Sequence, residues 1–220
     1  MRALVAAAAL LATVPAFADR EVTHRINTAA SSRAVRRVVI DIPAGEIVVR
    51  NGSRDRIAVS GVVRRDYDGR DEREEMQRLV DDINLAIEVR GDEATIYRTF
   101  GPNAHGWRAR HSTPEDITIE VPEGIDVDLA TRFGEVRMDG SFGDVDINLR
   151  AGEIALRMPR AEVRSLHASC TVGEVHTNLG DRVISREGLF PGSTHFENTS
   201  GRSVVNVHVT AGEVHVTLSR

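Results

Sequence analysis

The chain of 220 residues lacks lysine altogether, since each of its 28 basic residues is an arginine. That absence excludes every reaction that needs a lysine Schiff base or a lysine general base. Aromatic residues make up only 4 % of the sequence, with a single tryptophan, so stacking platforms for sugars or single-stranded nucleic acids are scarce. The one cysteine, Cys170, cannot form an internal disulfide. The formal net charge of -5 argues against a nucleic-acid partner, which would need a basic patch.

The first eighteen residues have the features of a secretory signal peptide. Arg2 precedes an apolar run over residues 3–14, and the small residues Ala16 and Ala18 suit a cleavage site. The run is too short to cross a bilayer core of about 30 Å as a stable helix. We therefore expect cleavage after Ala18 and a mature bacterial protein, 19–220, that lies in the periplasm or outside the cell without an integral membrane segment.

Most of the mature sequence alternates apolar and polar residues with a period of two, which predicts β-strands. The segment 71–83 differs, because four apolar residues recur there with helical spacing behind acids in the first turn. The four are Met76, Leu79, Val80 and Ile83. We predict one short amphipathic helix in this segment. Residues 101–114 show no periodicity and contain Trp107, so they are predicted to form a surface loop.

A short phrase, glycine followed by an acidic residue and then isoleucine or valine, recurs along the chain. Its six copies begin at Gly45, Gly134, Gly143, Gly152, Gly173 and Gly212. Aligning the apolar residues around Gly134 and Gly152 gives a step of about 18 residues, and the next copy, at Gly173, follows after 21. This recurrence predicts a repeated structural unit. The glycine of each copy is expected at a corner, where a positive φ or a close neighbour excludes a side chain.

From these repeats we predict an all-β fold of the β-solenoid class, with parallel β-helix-like coils of about 18–21 residues stacked on one another. A single domain is expected over 19–220, with N-terminal strands, the helix and the loop over 19–116 and regular repeats over 117–220. One coil alone buries too little apolar surface to offset its ordering entropy. Stacked coils should share an inward ladder of Val127, Leu129, Val136, Met138, Val145, Ile147, Leu149, Ile154 and Leu156.

The acidic residue of each phrase raises a question of charge. If the coils stack about 4.8 Å apart, the glutamates form an outward column of like charges, which needs neutralisation. The predicted column contains Glu135, Glu153, Glu174 and Glu213. One interpretation is a cation-binding stripe, since calcium takes six to eight oxygen ligands. The favoured interpretation is that the carboxylates cap turn amides or pair with Arg137, Arg150 or Arg157.

Other candidate sites are weaker. His176 and His215 occupy the same position in two copies of Gly-Glu-Val-His, and His208 alternates with valines, so all three are predicted to be outward strand residues. Without a close ligand pair such as His-x-x-x-His, they do not indicate a metal site. Cys170 is interpreted as a small strand or corner residue, and no Gly-x-Ser-x-Gly elbow is present. We assign no catalytic, metal or cofactor-binding residue and no cofactor.

The repeats resemble a bacterial family of exported β-strand-repeat proteins labelled "putative adhesin", a domain of unknown function. The resemblance lies in residues 121–129, 133–138 and 143–145, and in the terminal segments 186–190 and 205–216. It implies an envelope protein of stacked β-coils and supplies no catalytic residues. The chain departs from the family pattern over 168–172, where the coil is longer and contains Cys170.

Two classes of function remain open at this stage. The sequence favours a non-enzymatic envelope protein whose β-repeat scaffold binds or adheres to another protein or a surface polymer. The alternative is a secreted polysaccharide-active enzyme built on a β-solenoid, a fold that carries such activities with paired carboxylates. The loop with Trp107, His105 and His111 is the segment that could fold over the scaffold to make a pocket.

Overall fold

The computed structural model describes residues 20–179, 183–188 and 192–219, with only the backbone of Arg70, Arg110 and 183–188. The predicted signal peptide, 1–18, lies outside the described residues, as do Leu189 and Phe190 of the family resemblance. None of the helices in the described part is long and apolar enough to cross a membrane.

Within the described residues, thirteen strands join in one sheet and two short helices accompany it. The strands are β1 (Glu21–Ser31), β2 (Arg37–Asp41), β3 (Ala44–Asn51), β4 (Arg56–Asp66), β5 (Ile83–Arg90), β6 (Glu93–Phe100), β7 (Glu115–Val121), β8 (Asp126–Asp139), β9 (Val145–Pro159), β10 (Val163–Asn178), β11 (Val183–Gly188), β12 (Gly192–Glu197) and β13 (Ser203–Ser219). The helices are α1 (Arg70–Asp81) and α2 (Gly106–His111).

The all-β class is confirmed, but the prediction of a parallel β-solenoid is wrong. The sheet is mixed: β1 and β4, β4 and β7, β5 and β6, and β10 with both β11 and β12 are antiparallel. Its main path runs β1-β4-β7-β3-β8-β9-β13-β10-β11, so the last strand of the chain lies between β9 and β10. Coils of a solenoid stack in chain order. The repeated phrase could not reveal this insertion, because every copy fits beside every other copy equally well.

Long strands bend at their glycines and so pair with different neighbours along their length. Residues 126–130 of β8 pair with β2, and residues 133–139, which include Gly134, pair with β3. The alternation of buried residues shifts by one position across this glycine, from Leu129 to Val136, so both halves direct apolar side chains into one core. All nine residues predicted for the inward ladder are buried.

The predicted helix is present as α1, which ends at Asp81 rather than at residue 83. Ile83 is instead buried at the start of β5. The buried face of α1 packs against β1, β4 and β5 and consists of Met76, Leu79 and Val80. The apolar spacing thus predicted the helix correctly, and its boundaries differ by one residue at the N-terminus and two at the C-terminus.

A second helix, α2, lies inside the segment that was predicted to be an aperiodic loop. Its six residues span fewer than two turns, which is too short for helical periodicity to show in a sequence. Ala109 is buried. Ser112, which follows the last residue of α2, donates a hydrogen bond of 2.8 Å from its hydroxyl to the carbonyl of Arg108. The helix brings Trp107 and His111 to the surface near α1.

Candidate functional site

Five of the six glycine phrases lie side by side on neighbouring parallel strands. In spatial order they are Gly45, Gly134, Gly152, Gly212 and Gly173, on β3, β8, β9, β13 and β10. We call them the glycine column. Each has a positive φ, between 128° and 140°. A β-carbon on Gly152 would overlap the carbonyl oxygen of Gly134, so the column excludes side chains by close approach as well as by backbone conformation.

The sixth copy of the phrase does not belong to the column. Gly143 lies between β8 and β9, where its N–H donates to the carbonyl of Ile125 at 2.9 Å. The nine-residue spacing from Gly134 to Gly143 and Gly152 is therefore not a structural period. Gly143 instead occupies the turn between two strands that each carry a single column glycine.

The glutamates that follow the column glycines are also in register and form the predicted outward column, extended by Glu46. Arg137 spans two of these carboxylates, with Nη2 2.6 Å from Glu135 and Nη1 3.4 Å from Glu46. The hydrogen bond to Glu135 raises the pKa of the Arg137 guanidinium. Neither Arg150 nor Arg157 makes an ion pair with a described residue.

Histidines contact the remaining glutamates of the column. His215 Nε2 lies 3.1 Å from Glu213 and 3.8 Å from Glu153, and His176 Nε2 lies 2.8 Å from Glu174. The two imidazole rings stack with centroids 4.9 Å apart and planes 7° apart. Both histidines are on the outward face of their strands, and no three described His, Cys, Asp or Glu side chains are arranged to hold a metal ion. The glutamates that follow the column glycines thus contact other side chains of the protein.

Cys170 is a core residue of β10. Its side chain is 1 % exposed, and its thiol donates to the carbonyl of Gly212 at 3.3 Å. The pairing of β10 with β13 keeps one register from Ser165 to Asn178, so the longer segment 168–172 does not disturb it. The irregularity lies earlier, between Val163 and Ser165.

A cleft of about 340 Å³ lies between α1, α2 and the end of β4. This volume is at the lower end of the range of about 300–1,000 Å³ that is typical of small-molecule sites. We call it the Trp107 cleft. It is lined by Arg65, Asp66, Asp68, Glu72, Met76, Leu79, Trp107, Arg108 and His111.

Trp107 is the most exposed large apolar side chain described, at 70 %. The His111 ring lies at its edge, with centroids 5.5 Å apart and planes 65° apart, and His111 Nδ1 is 2.7 Å from the carbonyl oxygen of Trp107. These contacts orient the indole at the mouth of the cleft without covering it. Met76 and Leu79 of α1 supply an apolar lining below.

A second, smaller cavity of about 180 Å³ continues along α1. We call it the His105 cavity. It shares Met76, Leu79 and Arg108 with the Trp107 cleft and adds Glu75, Arg78, Asn103 and His105. The shared residues make the two cavities neighbours in one groove beside α1. Between them, Arg108 Nη1 lies 3.4 Å from Glu75.

In the Trp107 cleft, the arginines bind other groups of the protein, whereas the carboxylates have no cationic partner among the described side chains. Arg65 donates to the Ser112 hydroxyl at 2.8 Å and to the His111 carbonyl, and Arg108 pairs with Glu75. The three carboxylates of the cleft form no ion pair with any described side chain. They are Asp66, Asp68 and Glu72, of which Glu72 accepts a hydrogen bond from the N–H of Asp68 at 3.1 Å.

Sequence reasoning found part of this site. Trp107 and His111 do line one cavity and His105 the other, as expected if their segment folds over the scaffold. The carboxylates of Asp66, Asp68 and Glu72 were missed. Only Glu72 had a signal, the amphipathic pattern of α1, which placed the acidic first turn next to the buried Met76; Asp66 and Asp68 precede the helix.

Comparisons with known proteins bear on the fold. No protein family matches the sequence, and no curated protein matches it either. A solved structure from Clostridium sporogenes, described as a "putative cell adhesion protein", is similar with a TM-score of 0.51 and 11 % identity, over 90 % of this chain and 100 % of that one. This similarity supports an adhesin-like fold.

A "putative adhesin" from Bacteroides fragilis aligns over 89 % of this chain and 97 % of that one, with 9 % identity. Its TM-score of 0.28 is too low to add to the assignment of the fold.

Proposed function

We propose that the protein is an exported, non-enzymatic, adhesion-like protein that binds a cell-envelope partner, either a surface polymer or a protein, through the Trp107 cleft. The observation that carries the proposal is the 70 % exposed indole of Trp107 at the mouth of a cavity. An exposed large aromatic side chain beside a concave surface is typical of a binding site, because it gains contact area at low cost in side-chain entropy. The cell-adhesion description of the C. sporogenes structure supports the same class.

Export is part of the proposal and is tested separately. The chain expressed with residues 1–18 should be recovered outside the cytoplasm with Asp19 as its first residue, as determined by N-terminal sequencing. A variant that lacks residues 2–18 should stay in the cytoplasm. Recovery of the full-length chain in the cytoplasm with Met1 intact would contradict export.

Binding is tested by sedimenting residues 19–220 with purified cell envelopes. We expect Trp107→Ala to abolish most of the cosedimentation, because removal of a central aromatic contact typically costs about 2 kcal/mol or more. Phe133→Ala is the matched control, since Phe133 is also a large exposed apolar residue, at 55 %, but lies beside the glycine column. Equal binding by the two variants would contradict the proposal.

A polysaccharide-active enzyme is the second candidate, favoured by one observation. Asp66, Asp68 and Glu72 line the same cleft as Trp107, and glycoside hydrolysis commonly uses two carboxyl groups. A screen of neutral and acidic glycans for newly formed reducing ends tests this. Turnover that Asp68→Asn or Glu72→Gln abolishes would favour the enzyme over the binding protein.

A further inference from the structure

We infer that the Trp107 cleft binds a saccharide chain that carries free amino groups, such as an oligomer of glucosamine. The inference rests on the proposed function and names the ligand class for the same site. Three features of the groove support it: the exposed indole, the uncompensated carboxylates around it, and the continuation of the groove into the His105 cavity.

The indole and the apolar lining suit one face of a sugar ring. A pyranose presents C–H groups on its faces and polar groups around its edge. The face of Trp107 attracts such C–H groups because the aromatic ring carries negative charge on its face. Met76 and Leu79 contribute apolar surface nearby, and the polar side chains of the cleft are available to the edge of the ring.

The carboxylates determine the sign of the ligand's charge. A ligand that covers Asp66, Asp68 and Glu72 removes water from them, which is unfavourable unless the ligand supplies compensating donors or a positive charge. Arg108 is paired with Glu75, and Arg65 donates to the Ser112 hydroxyl and the His111 carbonyl, so three carboxylates face one cation without an anionic partner. An ammonium group meets the need and also interacts favourably with the indole face. A uronic acid would instead add a further negative charge.

The groove indicates a chain rather than a single sugar. The Trp107 cleft and the His105 cavity share Met76, Leu79 and Arg108, so a ligand in one can continue into the other along α1. The second cavity offers the amide of Asn103, the ring of His105 and the carboxylate of Glu75 for hydrogen bonds. A linear oligomer can therefore place successive rings in the two cavities.

Trp107 is the only tryptophan in the chain, so its fluorescence reports on this cleft alone. We would titrate residues 19–220 with glucosamine hexamer, N-acetylglucosamine hexamer, a galacturonate oligomer and hexalysine at about pH 6, where most of the amino groups and most carboxylates are charged. The expected result is a saturable change with glucosamine hexamer and affinity at least about tenfold weaker for each of the others. Equal or tighter binding of the acetylated or the acidic oligomer would overturn the inference. Equal binding of hexalysine would replace the sugar with a cationic peptide.

Two variants on neighbouring residues sharpen the test. Asp68→Asn removes a charge from the cleft, whereas Asp71→Asn makes the same change three residues away, at a side chain that lines neither cavity. We expect Asp68→Asn to weaken binding of glucosamine hexamer about threefold to fivefold and Asp71→Asn to leave it unchanged. Equal effects of the two would mean that only the overall charge matters, which would contradict recognition in the cleft.

Calorimetry with Trp107→Ala should show a loss of about 30-fold in affinity for glucosamine hexamer. Failure of this inference can be distinguished from failure of the proposed function. If glucosamine hexamer does not bind but Trp107→Ala still abolishes binding to envelopes, the ligand class is wrong and the binding function stands. If Trp107→Ala binds envelopes as well as the parent protein does, the proposed function fails.

Discussion

In the five strands of the glycine column, the same residue types recur at the same place and their glutamates contact other side chains of the protein. In the Trp107 cleft no residue repeats, and three carboxylates lack a described cationic partner. Arg137, His215 and His176 contact all five glutamates of the column. Each glutamate of the column thus has a side-chain partner within the protein, whereas the three carboxylates of the cleft have no described side-chain partner of opposite charge.

The difference indicates how a repetitive scaffold acquires a specific site. Close approach of five glycine backbones fixes the strands so tightly that there is no room for a side chain at the corner. Variation is tolerated better where the repeat is interrupted, in the segment that forms α1 and in the loop that contains α2. The exposed tryptophan lies in the latter. We therefore expect substitutions in the column to affect stability and substitutions in the cleft to affect binding.

The largest expected effect is that of Gly152→Ala in the middle of the column. The new β-carbon would overlap the carbonyl of Gly134, and the residue has a φ of 138°. We expect the free energy of unfolding to fall by at least about 4 kcal/mol, measured by urea denaturation, or the protein not to fold. The control is Gly69→Ala before α1, where φ is -136° and a β-carbon meets nothing within 4 Å. Gly69→Ala should lower the free energy of unfolding by less than about 1 kcal/mol. A similar small cost for Gly152→Ala would contradict the close packing of the column.

The second prediction compares the rates at which thiols in the two regions become accessible. In Asp71→Cys, the new thiol lies on the exposed side of α1, whereas Cys170 is buried in β10. Reaction with a disulfide reagent should show one fast and one slow phase, of one thiol each. We expect the slow phase to be at least about 10³-fold slower, because Cys170 becomes accessible only when the stacked strands separate. Two fast phases would show that the strands open locally.

Local features of the stacked strands could be predicted from the sequence, and their neighbours could not. Alternation with a period of two identified inward residues such as Leu129 and Ile154, because the orientation of a strand side chain depends only on its position along the strand. The glycines of the column were recognisable because the short phrase around each of them recurs in the sequence. The insertion of β13 between β9 and β10 depends on contacts about 60 residues apart, which no local pattern encodes.

The candidate site was predictable only in its location. Trp107 stood out because it interrupts a sequence that is otherwise regular and poor in aromatic residues. Its partners come from elsewhere: Asp66 ends β4, Glu72 belongs to α1, and His111 ends α2. The sequence does not indicate that these three elements meet. α2 itself, which orients the indole, is too short for its periodicity to be recognised.

A smaller effect on stability is expected from Arg137→Ala, beside the glycine column. Its guanidinium contacts Glu135 and Glu46 on adjacent strands, and its loss leaves two neighbouring carboxylates without that cation. We expect a small loss of stability at low salt that disappears in about 1 M salt, where charges are screened within about 3 Å. The control is Arg157→Ala, an outward arginine on β9 without an ion pair to a described residue. An equal loss for both variants would mean that the contacts of Arg137 do not stabilise the column.

The smallest expected effect on stability is that of Trp107→Ala, because the indole is 70 % exposed and forms no part of the hydrophobic core. Its free energy of unfolding, followed by circular dichroism, should stay within about 0.5 kcal/mol of the parent value. Phe142→Ala provides the opposite case, since Phe142 is fully buried and its truncation should cost about 3–5 kcal/mol. A loss above 1 kcal/mol for Trp107→Ala would assign the indole a structural role. A stable Trp107→Ala that no longer binds envelopes would separate binding from folding at a single residue.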